Sequence, residues 1–217
     1  MLIYALPLVY ADELMLLVNK PAGLLAVPGR GPDKQDCMSL RVQQHHPDAL
    51  VVHRLDQATS GLMLFARNAT MQRQLSQLFE QRDVAKEYVA IVQGHVAHDA
   101  GHMDGPIAAD WATRPLRRID LLIGKPALTH YRVISRSPSN SYATDRTATT
   151  RLWLQPHTGR THQLRVHLQA LGHPIVGDRL YGEDAGYTGR MCLHAKSLQL
   201  SHPATGQSMQ WQCEADF

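Results

Sequence analysis

The chain has 217 residues, of which 44% are hydrophobic and 19% charged, and its formal net charge is +3. This composition is typical of a globular protein, and so small a net charge indicates no particular partner. No apolar run approaches the roughly 20 residues of a membrane helix, and residues 1–7 lack the basic start and long apolar core of a signal peptide. We therefore expect a cytoplasmic protein that does not bind membranes.

Apolar runs and turn residues predict the elements of the first half of the chain. An amphipathic helix is indicated by Met71, Leu75 and Leu78, which recur at the spacing of one helix face. On the strand that follows it, alternation places Tyr88 on the same side as Ala90. In chain order, we predict a strand over 14–18, a helix over 39–46, a buried strand over 62–66, a helix capped by Asn68 or Thr70 and a strand over 86–92.

The second half of the chain is punctuated by Gly and Pro, which predicts short strands and long loops over residues 94–150. The stretch 135–150 is rich in Ser, Thr and Asn and is predicted to be a flexible loop. Beyond it we predict a strand over 151–156, a helix from Thr158 or Thr161 to Gly172, and strands over 193–211. Many strands with few helices predict an α+β protein with a mainly antiparallel sheet.

Several common catalytic motifs are missing from the sequence. It contains no phosphate-binding Walker A loop, no dinucleotide fingerprint, no H-E-x-x-H and no nucleophile elbow. His162 and His167 are five residues apart, so on a helix they would not share a face well enough to bind a metal. We expect neither a metal nor a cofactor.

Two polar loops remain as candidate sites. The first concentrates His53, Arg54, Asp56 and Thr59 between two apolar segments, which is a common way to present a site. The same residues would also suit an ordinary turn in which side chains cap backbone N–H groups. The second loop, over 158–167, carries arginines at a helix start and could bind an anion, or could be a solvated helix face. Residue type and spacing leave all of these readings open.

The order of motifs along the chain resembles the RluA family of pseudouridine synthases. The matching stretches are 18–24 (VNKPAGL), 53–61 (HRLDQATSG), 86–90 (KEYVA), 158–167 (TGRTHQLRVH), 172–178 (GHPIVGD) and 193–195 (LHA). Two more, 27–30 (VPGR) and 110–115 (DWATRP), resemble the dual-specificity RluA subfamily. The resemblance implies one catalytic domain over 1–217 without an S4 RNA-binding domain. Its fold would be that of pseudouridine synthases, a long, mainly antiparallel mixed sheet flanked by helices and loops.

The resemblance also assigns roles at a catalytic centre. It implies that Asp56 is the carboxylate that assists cleavage of the C1′–N1 bond of a uridine. An ionised carboxylate in a pocket that excludes water needs a nearby cation, and the resemblance gives that role to Arg165. Tyr88 matches the tyrosine that stacks on the displaced uracil. Whether Asp56 attacks the sugar or the base stays open.

Further residues are candidates for contact with the substrate or the RNA. The resemblance implies that Arg54 fills the space left by a flipped-out base, that Leu193 walls the base pocket, and that His53 and Thr59 belong to the same site. Arginine is suited to phosphate and base edges, and 17 of the 22 basic residues are arginine. We therefore expect phosphate contacts from exposed arginines, with Arg30, Arg114, Arg117, Arg118 and Arg160 as candidates.

The expected partner is RNA, and no protein partner or oligomer is required. The nearest subfamily isomerises a uridine of the 746 type in 23S rRNA and one of the 32 type in the tRNA anticodon stem-loop. A related small branch that acts elsewhere on tRNA is an alternative. A glycosidase or nucleosidase would also use a carboxylate beside a sugar, but usually with a second carboxylate. A non-catalytic RNA-binding module is the remaining alternative.

Overall fold

A computed structural model describes residues 6–137, 148–182, 187 and 189–217. The helices are α1 (Met38–His45), α2 (Ala69–Gln81) and α3 (Gln163–Ala170), and a 3-10 turn covers Pro32–Lys34. The strands are β1 (Leu8–Ala11), β2 (Met15–Lys20), β3 (Leu50–Val51), β4 (Ser60–Ala66), β5 (Ala85–Gln93), β6 (Ala100–Met103), β7 (Ile107–Ala109), β8 (Arg117–Ile119), β9 (Thr129–Ser137), β10 (Thr149–Pro156), β11 (Leu193–Ser201) and β12 (Ser208–Gln212).

The chain forms two compact units. The first comprises Met1–Ala85 and Ala195–Asp216, and the second comprises Lys86–His194 with Phe217. In both units, strands and helices do not alternate regularly along the sequence, which is typical of an α+β protein. Of the helices in the described residues, none is both long enough and apolar enough to cross a membrane.

The first unit is built on β4, which is buried along its whole length. In this unit the strand order is β1-β2-β4-β11, with β12 paired to β11 and β3 paired to β4. The β1–β2, β2–β4, β3–β4 and β11–β12 pairs are antiparallel. Burial on both faces explains why residues 62–66 form an unbroken apolar run instead of alternating.

Helix α2 covers one face of this sheet, as its apolar spacing predicts. Met71 and Leu75 are buried there, in a cluster with Leu17 and Leu64. The Asn68 side chain caps the helix by accepting from the backbone N–H of Met71 at 2.8 Å. The prediction of this helix and of its cap is confirmed.

The second unit is built on an antiparallel sheet with the order β5-β10-β9-β6. Tyr88 on β5 lies opposite Leu154 on β10. Strands β7 and β8 form a separate antiparallel hairpin. A small core of Ile107, Val166 and Tyr181 joins residues of this hairpin and of α3.

The start of α3 differs from the prediction that the helix would begin at Thr158 or Thr161. The helix begins at Gln163, after His162, whose φ of 58° is left-handed and whose side chain caps nothing. The Gln163 side chain organises the turn instead, since its Oε1 accepts from the Thr158 hydroxyl at 2.7 Å and from the Arg160 N–H at 2.9 Å.

The flexible loop predicted over 135–150 is shorter than its composition indicates. Residues up to Ser137 belong to β9 and residues from Thr149 belong to β10, and these two residues pair across the ladder. Hydroxyl side chains are compatible with an antiparallel ladder, and Thr is enriched in strands. Residues 138–147 of the predicted loop lie outside the described residues.

Gly61 fixes the close approach of β4 to β11 within the first unit. Its φ is 114°, and a Cβ built on it would overlap the backbone of Ala195. Glycine is the residue that tolerates both conditions. The position immediately follows residues 53–60, so the geometry of that polar loop depends on it.

We predict that Gly61→Ala lowers the free energy of unfolding by about 3 kcal/mol or more, because backbone strain adds to a backbone clash. Gly206→Ala is the matched control: φ is 72° there, but no atom lies within 4 Å of the added Cβ. Strain alone should cost that variant about 1–2 kcal/mol. Urea denaturation followed by circular dichroism measures both, and equal losses would show that the approach to Ala195 relaxes without cost.

Candidate functional site

The Asp56 loop, residues 53–59, lies between β3 and β4 in the first unit. Asp56 is half-buried, while Leu55 is 8% and Thr59 3% exposed. The Thr59 N–H donates to the Asp56 carbonyl at 3.1 Å, which closes a tight turn. The predicted turn is therefore confirmed, and it holds Asp56, the predicted catalytic residue, in a fixed position.

A buried lysine ties the Asp56 loop to the turn after β2. Lys20 is fully buried, and its ammonium group donates to the carbonyls of Pro21 (2.8 Å), Leu24 (2.7 Å) and Gln57 (3.2 Å). A buried charge is tolerated only where such bonds replace its water. No role was predicted for Lys20 from the sequence; the visible signal was a lysine at the end of an apolar strand, directly before a proline.

A second link joins the same two segments. The Gly23 N–H donates to the Gln57 carbonyl at 2.8 Å, and the Gln57 side-chain amide donates to the Gly23 carbonyl at 3.0 Å. Gln57 lies next to Asp56, so these reciprocal bonds limit how far the carboxylate can move. Such support from neighbouring polar groups is what a precise site needs.

His53 has structural contacts within the first unit. Its Nε2 accepts from the Leu64 N–H at 3.0 Å, and its ring stacks on Phe79 at 4.5 Å between centroids. Because Nε2 is the acceptor, the ring proton lies on Nδ1. Arg54, the next residue, is exposed.

The second unit holds Arg165 in a buried ion pair. Its Nε and Nη2 donate to the two carboxylate oxygens of Asp178, each at 2.7 Å, and the two side chains are 5% and 0% exposed. Asp178 also accepts from the backbone N–H groups of Leu180 (3.0 Å) and Tyr181 (3.2 Å). This bidentate arrangement fixes the plane of the guanidinium group.

Tyr181 extends the network around Arg165. The guanidinium carbon lies 5.0 Å from the centre of the Tyr181 ring. The Tyr181 hydroxyl is hydrogen-bonded to His162 Nδ1 at 2.8 Å and accepts from the Arg117 N–H at 2.8 Å. Asp178 belongs to one of the matching motifs, but neither residue was predicted to contact Arg165, because they are 13 and 16 positions away from it.

His167 has a structural role in α3. It is 1% exposed, and burial lowers the pKa of its imidazole. Its Nε2 donates to the Gly105 carbonyl at 2.9 Å, so its Nδ1 accepts from the Thr129 hydroxyl at 3.0 Å. Within the described part of the chain, no group of three or more His, Cys, Asp or Glu side chains is placed to hold a metal ion.

The other predicted residues of the second unit differ in how exposed they are. Tyr88 is half-buried on β5, and Leu193 is 3% exposed at the start of β11. Arg114 is exposed, whereas Arg160 is half-buried and donates to the Pro126 carbonyl at 3.0 Å. In the first unit, Arg30 is exposed in the loop before the 3-10 turn.

We predict that Asp178→Asn lowers the free energy of unfolding by about 3–5 kcal/mol, because it removes the negative charge that the buried Arg165 guanidinium group contacts at two points. Asp36→Asn is the matched control. Asp36 forms the same two-point contact with Arg41, at 2.8 and 2.6 Å, but its side chain is 65% exposed. That variant should lose less than about 1 kcal/mol. Similar losses in the two urea titrations would contradict a special role for the buried pair.

Comparison with known proteins gives the family. A family model described as RNA pseudouridylate synthase matches residues 14–170. The chain is 45% identical over 210 residues to the dual-specificity RNA pseudouridine synthase RluA of Yersinia pestis, covering 96% of this chain and 98% of that protein. It is also 45% identical over 214 residues to the protein of the same name from Escherichia coli (strain K12), covering 98% and 94%.

A solved structure supports the same conclusion. Human RNA Pseudouridylate Synthase Domain Containing 1 is 30% identical, with a TM-score of 0.82, over 100% of this chain and 86% of that one. The α+β fold class, the family and the enzyme class expected from the motifs are thereby confirmed. The chain belongs to the RNA pseudouridylate synthase family and is an RNA pseudouridine synthase, an isomerase.

Proposed function

We propose that this enzyme isomerises a uridine of the 746 type in 23S rRNA and a uridine of the 32 type in the tRNA anticodon stem-loop. The observation that carries the proposal is the near full-length identity of 45% to relatives named dual-specificity RNA pseudouridine synthases. The motif-like stretches 27–30 and 110–115 add to it. The enzyme works on RNA as a monomer, without a cofactor or a protein partner.

The reaction rearranges the base without adding or removing any other group. The C1′–N1 bond breaks, the uracil turns, and a new bond forms between C5 and C1′. The proton on C5 is lost, and N1 gains one, so substrate and product have the same mass. Asp56 is the carboxylate that assists cleavage, and its fixed position supports the assignment: Lys20 and Gly23 hold the adjacent Gln57 through hydrogen bonds of 2.8 to 3.2 Å.

Arg165 and Tyr88 complete the catalytic set in this proposal. Arg165 supplies positive charge, and its two-point contact with Asp178 supports that role because the guanidinium group is already oriented before substrate arrives. Tyr88 provides a flat ring for the displaced uracil, and Leu193 an apolar wall. These roles rest on the resemblance of their motifs to those of the family.

The target uridine must leave its base stack to reach a catalytic carboxylate. Arg54 is two residues from Asp56 and exposed, which suits a side chain that occupies the space vacated by the base. His53 and Thr59 belong to the site through the loop they build. Arg30 and Arg114, which are exposed, and the half-buried Arg160 contact phosphates in this proposal.

Replacing Asp56 tests its role. We expect Asp56→Asn to reduce tritium release from RNA labelled at uracil C5 by at least about 10⁴-fold, because the charge that assists cleavage is removed. Affinity for the RNA should change by less than about 3-fold, since the substitution keeps the size of the side chain. Asp83→Asn, an exposed aspartate in the first unit, is the control and should release tritium normally. An Asp56→Asn protein as active as the unmodified enzyme would refute the assignment.

Dual specificity is tested with two synthetic stem-loops, one from 23S rRNA and one from the tRNA anticodon arm. Both should be isomerised without added cofactor, and versions with cytidine at the target should not. If one site serves both, each RNA should inhibit modification of the other with an inhibition constant equal to its own KM. Modification of tRNA outside the anticodon stem-loop, with neither stem-loop modified, would instead place the enzyme in the related tRNA-specific branch.

A further inference from the structure

The loop between β7 and β8 exposes a tryptophan that the catalytic assignments leave unused. Trp111 is 70% exposed, and the guanidinium carbon of Arg114 lies 3.5 Å from the centre of its ring. The other two tryptophans are half-buried: Trp153 lies under Arg132, and Trp211 packs on Tyr10. An indole ring that is exposed to water, in a protein whose other two tryptophans are half-buried, is a candidate contact surface.

The loop that carries Trp111 is held in one shape. The Asp110 N–H donates to the Leu116 carbonyl at 3.1 Å, and the Leu116 N–H donates to the Thr113 carbonyl at 3.0 Å. The Asp110 carboxylate accepts from the Ala112 N–H at 3.2 Å. These bonds fix the shape of the loop before RNA binds. Little conformational entropy of the loop is therefore lost when the Trp111 ring makes a contact.

The arginines of this loop and of β8 are not equivalent. Arg118 is neutralised by Asp120 at 2.9 Å and by Asp110 at 3.7 Å. Arg114 instead lies on the Trp111 ring, and no carboxylate within the described residues pairs with it. Its charge is therefore available to a phosphate while it covers one face of the indole.

We propose that Trp111 and Arg114 form a stacking platform for an unpaired base of the RNA, distinct from the uridine that is isomerised. The proposal rests on the proposed function, since RNA is the partner it invokes. The base stacks on the ring face that Arg114 leaves open, and Arg114 attracts the adjoining phosphate. Every base has a flat face, so the platform accepts different loop sequences, which is what an enzyme of two RNA substrates requires.

Tryptophan emission reports on the platform directly. In a protein with Trp153→Phe and Trp211→Phe, Trp111 is the remaining tryptophan. Addition of the anticodon stem-loop should quench its emission and shield it from acrylamide, with the same midpoint as RNA binding followed by anisotropy of a labelled stem-loop. If those substitutions harm folding, the quenching of the unmodified enzyme by RNA is compared with that of Trp111→Phe, and the difference reports on Trp111. Trp111→Phe should fold normally because position 111 is exposed.

Affinity gives a second test. Loss of one base-stacking contact should weaken binding of the stem-loop by about 5- to 150-fold in Trp111→Ala, and less in Trp111→Phe, which retains a ring. The rate at saturating RNA should stay within about 2-fold. Leu122→Ala is the matched control: its side chain is 94% exposed in the turn after β8 but has no ring, and it should bind RNA normally.

The outcomes separate this inference from the proposed function. Quenching together with weaker binding of Trp111→Ala supports the platform. RNA that binds and is isomerised without changing Trp111 emission overturns the platform and leaves the proposed function standing. An equal loss of affinity in Leu122→Ala and Trp111→Ala overturns stacking as the cause. Failure of the unmodified enzyme to bind either stem-loop overturns the proposed function, and the platform with it.

Discussion

The buried ion pair between Arg165 and Asp178 is the interaction on which the functional part of the second unit depends. Removing two charges from water costs several kcal/mol for each ion, and their attraction compensates only when the geometry is good and the remaining lone pairs are satisfied. Both conditions hold here, because the contact is bidentate and two backbone N–H groups also reach Asp178. The pair is therefore a constraint on geometry more than a source of stability.

The constraint extends beyond the pair itself. Tyr181 lies against the Arg165 guanidinium group, and its hydroxyl accepts from the backbone of Arg117 at the start of β8. The loop that presents Trp111 ends at the preceding residue, Leu116. The proposed catalytic arginine and the proposed stacking platform are thus connected through one tyrosine, by contacts that are all inside the second unit. Positioning of the proposed catalytic arginine and of the proposed stacking platform then depends on the same polar network.

Features that rest on local interactions could be predicted from the sequence, whereas features that rest on contacts between distant segments could not. Helix α2 and its Asn68 cap were predictable because period and capping are local signals, whereas the role of Asp56 is proposed from a motif. The start of α3 was not predictable, since the turn before it is organised by the Gln163 side chain, whose bonds also reach Leu128 and Thr129. Asp178 and Lys20 were missed as partners for a similar reason, because hydrogen bonds between separate segments leave no periodic trace.

The arginines show how a net charge of only +3 is compatible with binding RNA. In the part of the chain that the structure describes, the arginines that pair with aspartates include Arg41, Arg67, Arg118, Arg136 and Arg165, and a paired guanidinium group contributes little to the field at a distance. Arg30, Arg54, Arg114 and Arg160 have no carboxylate partner in the part of the chain that the structure describes. These four are among the proposed RNA contacts, and counterion release would make their contribution depend on salt. The net charge does not show which arginines are paired. The unpaired ones are the electrostatic basis of the proposed RNA contacts.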